Sequence, residues 1–371
     1  MTKIMHITQS AGGVKRYIDM FIKNIDKNKY QNILVHTREY SVDNSIDLKS
    51  EYVDMCREIN FINDLKAVLT VRKLVKKYKP DIVYLHSSKA GVIGRLATIG
   101  IKNTVIYNAH GWSFNMQCSN KKRLLYSFIE RLFAPFTDKI VAISDFEKNS
   151  AVKNHICSSD KIQVIYNGID IDEQKSKISS LELCKKSNYG IPDDAYVVGM
   201  VGRISKQKAP DTFIKMAYEI KKSINEAFFV IVGDGEDRKE CEALIKKLHL
   251  EDSFLITGWN DNPMEYVNLF DQAVLLSRWE GFGLVLAEYM IAKKPIVATN
   301  VDAIPNLIQN GENGVLVEKD DYIAAAKEVV GLYRDEEHRK LLCKKGYDVV
   351  CVKFDIKRVI SEHEKLFREL L

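Results

Sequence analysis

Short apolar, β-branched runs alternate along the chain with segments of helical periodicity. In the first half, the runs that predict strands are KIMHIT, NILVHT, DIVYLHS, TVIYNAH, KIVAIS and KIQVIYNG. Amphipathic stretches such as VKRYIDMFIKNI and LKAVLTVRKLVKKY lie between them. This alternation is typical of parallel α/β folds, in which each helix connects two strands of one sheet.

A second series of the same kind follows a polar stretch at 171–194, which has no strand signal and is interpreted as a linker. Its strand candidates are YVVGMVGRI, AFFVIVGDG, FLITGW, AVLLS, PIVATN and GVLVEK. The pattern predicts two Rossmann-like α/β domains with parallel sheets, over 1–170 and 195–349, facing a central cleft. Ligands of such sheets bind at the carboxyl ends of the strands.

Composition places the chain among ordinary globular proteins. It has 371 residues, 46% hydrophobic and 28% charged, which suits two domains. No run of eighteen apolar residues predicts a membrane span, and the first residues lack the zones of a signal peptide. The seven cysteines are scattered, which indicates reduced thiols in the cytoplasm.

The charge is unevenly distributed. Residues 1–165 carry 26 Lys and Arg against 15 Asp and Glu, although the whole chain has a net charge of only +5. A basic first half indicates an anionic partner such as a membrane surface, a phosphorylated lipid or nucleic acid. The alternative is a solvated, lysine-rich surface.

The stretch SRWEGFGLVLAEYM at 277–290 places Glu280 before a Gly-Phe-Gly turn and Glu288 inside the helix that follows. The N–H groups and the dipole at a helix start, approached through glycine, favour an anion. Carboxylates are poor partners for phosphate, so the pair indicates a ligand with both phosphates and hydroxyls. Glu288 would then bind a ribose diol and Glu280 a sugar hydroxyl. Alternatively, Glu288 caps the helix or pairs with a lysine of Lys293-Lys294.

A second candidate is the strand-to-helix loop VGRISKQK at 201–208. Arg203 and Lys208 suit a diphosphate, the arginine as a planar fork and the lysine as a movable point charge. Lysines on loops are also commonly solvated, so this signal is weak by itself.

Two further turns lie in the first half. At Gly12-Gly13, backbone N–H groups at the start of a helix would bind an anion. Alternatively, the two glycines form only a tight βα turn. No G-x-G-x-x-G occurs, which disfavours a dinucleotide site. His110 ends a strand before a glycine, where it would bond a sugar hydroxyl, although a lone histidine is more often structural.

Two stretches with motif-like patterns are discounted. Asp170-Ile171-Asp172 is a D-x-D, a pattern that holds a divalent cation in some nucleotide-sugar enzymes, but it follows no core strand directly. GDGED at 233–237 has no Walker-A lysine and is interpreted as a βα turn. No metal ligand is therefore predicted.

Taken together, the motifs resemble glycosyltransferase family 4, whose members have GT-B architecture and retain anomeric configuration. GG, HG, NGID, GR-x4-K, GDG, TGW and EGFGLVLAE occur in the family's order over essentially the whole chain. Three places depart from the pattern. Leu276-Ser277 stands where the family often has Pro-Ser, and Lys208-Ala209 stands where Lys-Gly is usual. Ala292-Lys293-Lys294-Pro295 stands where the family usually has a glycine. The resemblance also implies that a last helix, assigned to 350–371, packs back onto the first domain.

The resemblance implies a role for each matched residue. Glu288 would bind the nucleotide ribose, Arg203 and Lys208 would hold the diphosphate, and Glu280 would face the donor sugar. His110 would contact that sugar near the reacting centre and complete the catalytic set. The other donor-binding positions implied are Gly12, Gly13, Gly258, Phe282, Gly283, Leu284 and Val285.

The implied reaction is transfer of a hexose-type sugar from a nucleotide-sugar, with UDP as first choice, with retention and without metal or cofactor. Arg203 and Lys208 would neutralise the leaving diphosphate, whose oxygen would take the proton of the acceptor hydroxyl. HSSKAGVIGRLA and AHGWSF are most similar to bacterial capsule, exopolysaccharide and O-antigen transferases, which implies a glycan or undecaprenyl-diphosphate-linked acceptor.

The alternatives are a UDP-sugar 2-epimerase of GT-B fold and a non-catalytic nucleotide-sugar-binding protein. A nucleic-acid partner would leave the paired glutamates unexplained.

Two basic amphipathic segments, LKAVLTVRKLVKKYK and RLLYSFIERLFAPF, lie in the predicted acceptor domain. They would lie on an anionic inner membrane surface or guide a lipid-linked sugar. Alternatively, their apolar stripes form the domain core. The expected location is the cytoplasm. If these segments bind a membrane, the protein would be attached peripherally to the inner face of the plasma membrane.

Overall fold

The chain forms two compact units. A computed structural model describes residues 1–9, 12–42, 48–56, 58, 60–181 and 185–371. The first unit comprises Met1–Asn167 and Ile356–Leu371, and the second comprises Gly168–Asp355.

The first unit is built on a parallel sheet that has seven strands in the described residues, in the order β3-β2-β1-β4-β5-β6-β7. Its strands are β1 (Thr2–Thr8), β2 (Tyr30–His36), β3 (Lys49–Tyr52), β4 (Ile82–His86), β5 (Thr104–Asn108), β6 (Lys139–Ala142) and β7 (Ile162–Val164). The connecting helices are α1 (Gly13–Asn24), α2 (Phe61–Tyr78), α3 (Ser88–Thr98), α4 (Asn120–Phe133) and α5 (Asp145–Lys153). The order reverses between β1 and β4, which are hydrogen-bonded neighbours, so ligands are expected at the ends of these strands.

The second unit repeats this architecture. Over the described residues its sheet has six parallel strands in the order β10-β9-β8-β11-β12-β13, namely β8 (Tyr196–Val201), β9 (Ala227–Val232), β10 (Phe254–Ile256), β11 (Gln272–Leu275), β12 (Ile296–Thr299) and β13 (Val315–Val317). Its helices are α6 (Ile171–Ser180), α7 (Pro210–Lys221), α8 (Arg238–Lys247), α9 (Met264–Leu269), α10 (Leu284–Ile291), α11 (Ile304–Leu307), α12 (Tyr322–Arg334) and α13 (Glu336–Lys353). The order reverses between β8 and β11, and both candidate donor loops follow these two strands.

The predicted linker differs from what the structure contains. Helix α6 lies inside 171–194 and belongs to the second unit, while 182–184 fall outside the described residues. The Asp170 side chain caps this helix by accepting a hydrogen bond from the Glu173 N–H at 2.9 Å. Only Ile171 and Gln174 of α6 are buried. The helix therefore lacks the apolar periodicity that would have revealed it.

The predicted last helix, 350–371, is divided in the structure. Residues 350–353 end α13 in the second unit, whereas α14 (Ile356–Leu370) belongs to the first. The break at Phe354-Asp355 is held by the Ile169 N–H, which donates to the Phe354 carbonyl at 2.8 Å. Helix α14 then buries an apolar face, including Val359 and Phe367, in the same core cluster as α1.

Helix α4 has an unusual distribution of polar groups. Its Glu130 is buried and accepts from Arg95 Nη2 at 2.9 Å and from the Tyr107 hydroxyl at 2.7 Å. Arg95 is completely buried and also lies over the Tyr107 ring. Meanwhile Leu124 and Phe128 on the same helix are 72% and 59% exposed. The buried carboxylate, together with Tyr126, which packs against the core cluster, therefore attaches this helix to the domain.

Candidate functional site

The loop between β8 and α7 carries the two predicted cations. Lys208 Nζ donates to Glu280 Oε2 at 2.5 Å, and this pair is largely shielded from solvent. A side chain on Gly202 would place its Cβ 3.3 Å from Lys208 Cγ, so glycine there leaves room for the lysine stem. Arg203 is more exposed and pairs with Glu236 through Nε–Oε2 at 2.8 Å.

The turn after β11 fixes Glu280 beside that lysine. The Ser277 hydroxyl donates to Glu280 Oε2 at 3.1 Å, and the Glu280 N–H donates to Asp302 Oδ2 at 2.9 Å. Burial, opposed by this backbone hydrogen bond and aided by Glu280, raises the pKa of Asp302. Glu280 is only 8% exposed and is held at both its carboxylate and its backbone. It is therefore oriented before any ligand arrives.

Helix α10 starts immediately after this turn. Gly283 precedes it with φ +85°, and a Cβ there would lie 3.3 Å from Glu280 Cγ. Leu284 and Val285 form the first turn, so their N–H groups lie at the positive end of the helix dipole. Glu288 is 1% exposed within this otherwise apolar helix.

Phe282 lies between the two glycines of the turn. The resemblance implies that it faces the donor sugar, but the side chain is buried and packs edge-to-face against Phe354, with ring centroids 5.7 Å apart. An aromatic ring is stabilised more by this contact than by exposure to water. Its side chain therefore holds the turn in place.

The glycines of GDG allow two strand ends to approach closely. A Cβ on Gly233 would lie 2.1 Å from the Gly202 carbonyl oxygen, and one on Gly235 would lie 2.2 Å from that of Ile204. The turn therefore supports the loop that carries Arg203. Gly258, with φ +77°, forms an isolated antiparallel bridge with Gly233 and so lies at the same edge of the sheet.

The first unit holds the remaining predicted residues. Gly12 has φ +69° and precedes α1, and open space surrounds the Cβ position of both Gly12 and Gly13. His110 follows β5 in the left-handed region, with φ +52°. Its N–H donates to Asn108 Oδ1 at 2.9 Å, and its Nε2 lies 2.9 Å from His86 Nδ1. Desolvation lowers the pKa of this half-buried imidazole to about 3, so it is neutral at physiological pH.

Sequence reasoning overlooked the histidines behind His110. His6 and His86 lie in β1 and β4, and His363 lies in α14. All three are fully buried. For His6 and His86, the signal in the sequence was a histidine inside each of the apolar runs KIMHIT and DIVYLHS. A polar residue buried in a strand is normally hydrogen-bonded and is often functional.

Glu147 is another residue that the sequence analysis missed. It lies in the first turn of α5, where its N–H donates to the hydroxyl oxygen of Ser144, the N-cap residue, at 3.2 Å. Burial raises the pKa of its carboxyl group to about 8, although a backbone N–H from Ile143 opposes that shift. Its Oε1 atom is buried, has no hydrogen-bond partner among the described residues, and lies 3.8 Å from the Cβ position of Gly111. The S-x-x-E spacing of a capping box was the signal that could have identified it.

No cluster of three or more potential metal ligands occurs among the described residues. Asp170 of the D-x-D serves as a helix cap.

Two parallel-sheet α/β units, with cationic and glutamate-bearing loops at the strand-order reversal of the second, define a protein of GT-B architecture. The predicted fold class is confirmed by Anabaena HepE, solved with UDP and glucose, which is 20% identical and aligns over 100% of both chains with a TM-score of 0.86.

Two family models match successive parts of the chain. Residues 11–173 match the model described as Glycosyltransferase Family 4, and residues 184–349 match Glycosyl transferases group 1. A Klebsiella pneumoniae relative, an uncharacterized 41.2 kDa protein in the cps region, is 31% identical over 86% of this chain and 86% of its own length. The Escherichia coli UDP-Gal:alpha-D-GlcNAc-diphosphoundecaprenol alpha-1,3-galactosyltransferase is 29% identical over 85% and 82%, respectively. This chain belongs to glycosyltransferase family 4.

Proposed function

We propose that this glycosyltransferase moves a sugar from a nucleotide-sugar, with UDP as the nucleotide, to a lipid-linked glycan in bacterial surface polysaccharide synthesis. The main support for the donor site is the Lys208–Glu280 ion pair, which is shielded from solvent and lies beside the start of α10. A bound donor supplies a phosphate for the lysine and a sugar hydroxyl for the carboxylate, so both charges keep a partner. The E. coli relative, whose name specifies UDP-Gal and a diphosphoundecaprenol acceptor, supports the choice of substrates.

The proposed mechanism retains configuration and uses no metal. Arg203 and Lys208, with the N–H groups at the start of α10, neutralise the charge that develops on the leaving diphosphate. Glu288 binds the ribose, and Glu280 and His110 position the sugar. The acceptor hydroxyl attacks from the face that the diphosphate leaves, the glycosidic bond forms as the C1–O bond breaks, and the phosphate oxygen takes the hydroxyl proton.

The decisive experiment incubates the full chain with a panel of nucleotide-sugars, EDTA and a diphosphate-lipid-linked acceptor mimic. We expect one donor to yield an extended acceptor with the donor's anomeric configuration, identified by mass spectrometry and NMR. Lys208→Met should lower kcat/KM about a hundredfold, because a charge-stabilising contact is lost. Lys206→Met is the matched control, because Lys206 is an exposed lysine on the same loop.

Other outcomes would contradict parts of the proposal. An epimerised nucleotide-sugar formed without acceptor would identify the 2-epimerase, and binding without turnover of any donor would indicate a non-catalytic protein. Inverted product would contradict retention, and loss of activity in EDTA would contradict metal independence. Equal activity of Lys208→Met and Lys206→Met would contradict the donor site.

We further propose that α4 places the first unit on an anionic membrane at the cytoplasmic face, where a lipid-linked acceptor is available. Four apolar residues of this helix are exposed, namely Leu124, Leu125, Phe128 and Leu132. Three exposed basic residues, 121–123, precede them. Apolar insertion together with cationic attraction is the usual basis of peripheral membrane binding. In the described part of the chain, no helix is both long and apolar enough to span a bilayer.

Vesicle co-sedimentation tests this surface. The protein should sediment with phosphatidylglycerol vesicles and much less with phosphatidylcholine vesicles, and Leu124→Ser/Phe128→Ser should reduce the bound fraction severalfold. Ile323→Ser is the control, because Ile323 is an exposed apolar residue on α12 of the second unit. Equal binding by the double variant and the control would contradict this assignment.

A further inference from the structure

A line of polar side chains crosses one face of the first unit's sheet. The parallel register pairs Ile4 with Asn32, His6 with Tyr84, and His86 with Asn108. Even-numbered positions of β2, β1, β4 and β5 therefore lie on the same face. Asn32, His6 and His86 occupy this face in successive strands, and His110 follows the end of β5. From His6 onward, each histidine lies nearer the carboxyl edge than the one before.

These four side chains form a continuous hydrogen-bonded chain. Asn32 Oδ1 lies 3.0 Å from His6 Nε2, and His6 Nδ1 lies 3.1 Å from His86 Nε2. His86 Nδ1 in turn lies 2.9 Å from His110 Nε2. Both ring nitrogens of His6 and of His86 are thus hydrogen-bonded within this chain of side chains. The chain begins at Asn32 and ends at His110.

The acceptor at Asn32 fixes the direction of every bond. Burial lowers the pKa of His6 to about 4 and that of His86 well below its ordinary value, so each ring is neutral with one N–H and one lone pair. His6 must donate through Nε2 to the Asn32 oxygen, which leaves its Nδ1 to accept from His86 Nε2. His86 Nδ1 then accepts from His110 Nε2. Since the hydrogen bond at one imidazole nitrogen decides the state of the other, the chain defines the tautomer of His110.

We propose that Asn32, His6 and His86 are positioning residues that hold His110 as its Nε2–H tautomer and leave Nδ1 as a hydrogen-bond acceptor for a hydroxyl of the transferred sugar. Among the described residues, Nδ1 of His110 has no hydrogen-bond partner, and the ring is only half-buried. A neutral acceptor orients a hydroxyl without competing for the proton that the leaving phosphate takes. The sugar part of this inference rests on the proposed function, whereas the tautomer does not.

The tautomer is measured directly on the full chain, without ligand, by long-range ¹H–¹⁵N correlation of ¹⁵N-labelled histidine at neutral pH. The His110 signals are assigned by their loss in His110→Gln. We expect a protonated Nε2 and an unprotonated Nδ1 in a single population. A protonated Nδ1, or an imidazolium, would overturn the proposal even in a protein with no transferase activity.

Variants then test whether the chain is the cause. His86→Phe keeps an aromatic ring against His110 but removes the acceptor, and Asn32→Leu removes the acceptor at the far end. Each should give His110 a mixture of tautomers. In an active enzyme, each should lower kcat about tenfold or more through misplacement of the sugar, while the Kd for UDP stays unchanged.

Tyr84→Phe is the matched control, because its ring lies 4.3 Å from that of His86 while its hydroxyl bonds His363 instead. It should leave the His110 tautomer unchanged. A single unchanged tautomer in both His86→Phe and Asn32→Leu, or a mixture in Tyr84→Phe as well, would overturn the role of the chain. A protein that has the expected tautomer but transfers no sugar would contradict the proposed function alone.

Discussion

At the scale of single residues, two departures from the family's sequence pattern coincide with backbone strain. Ala209 and Lys293, which stand where the family usually has glycine, have φ +50° and +53°. This left-handed conformation costs a residue with a Cβ atom about 1–2 kcal/mol. Ala209 directly follows Lys208, so part of the strain lies in the donor loop itself.

Replacing Lys293 with glycine should therefore stabilise the protein. Lys293 follows Ala292, the C-cap residue of α10, at the position where glycine commonly ends a helix. We expect Lys293→Gly to raise the free energy of unfolding by about 1 kcal/mol, measured by urea denaturation. Lys293→Ala is the control, because it removes the contact of the lysine with the Tyr347 ring but keeps the strained φ. Equal stability of the glycine and alanine variants would contradict the strain argument.

At the scale of elements, α4 illustrates how a helix can be fixed by a buried ion pair. The sequence of α4 favoured either a membrane-facing helix or a core helix, because apolar residues occur on more than one of its faces. The structure separates these faces through Glu130, which the buried Arg95 and Tyr107 stabilise. No sequence pattern relates residue 130 to residue 95, since their contact depends on how α3 and α4 pack.

Removing only one partner of this ion pair should be costly. Glu130→Leu leaves the Arg95 guanidinium buried without its carboxylate, which should lower the free energy of unfolding by about 3–5 kcal/mol. Arg95→Leu should cost a similar amount, and the double variant should cost less than the sum of the two single changes. Urea denaturation followed by circular dichroism measures the cycle. Additive single changes would show that the two side chains act independently.

At the scale of the whole molecule, buried titratable groups of the first unit link stability to pH. His6 and His110, with pKa values lowered to about 4 and 3, remain neutral in the folded chain while the unfolded chain takes up protons below about pH 6.5. Stability is therefore lost as the pH falls from about 6.5 towards 4. Glu147 acts in the opposite direction, because its raised pKa of about 8 keeps it protonated in the folded chain after the unfolded chain has released its proton above about pH 4.5.

Glu147→Gln isolates the second effect. Glutamine mimics the protonated carboxyl group, so the variant should escape the loss of stability that the wild type undergoes as the pH rises from 5 to 8. We expect the wild type to lose on the order of 3 kcal/mol relative to the variant over that interval. Urea denaturation at three pH values measures the difference. If the free energies of unfolding of the two proteins changed in parallel with pH, the pKa of Glu147 would not be raised.

The amino-acid sequence by itself determined the α/β class, the two parallel sheets and the family, because these depend on local periodicity and on motifs of adjacent residues. It also identified Glu280, Lys208 and His110 as candidates. Only the tertiary structure paired Lys208 with Glu280, buried Phe282, divided the last helix and aligned Asn32, His6 and His86 behind His110. Those arrangements depend on strand order and register, which bring together residues as much as eighty positions apart, and periodicity along a chain carries no information about such pairings.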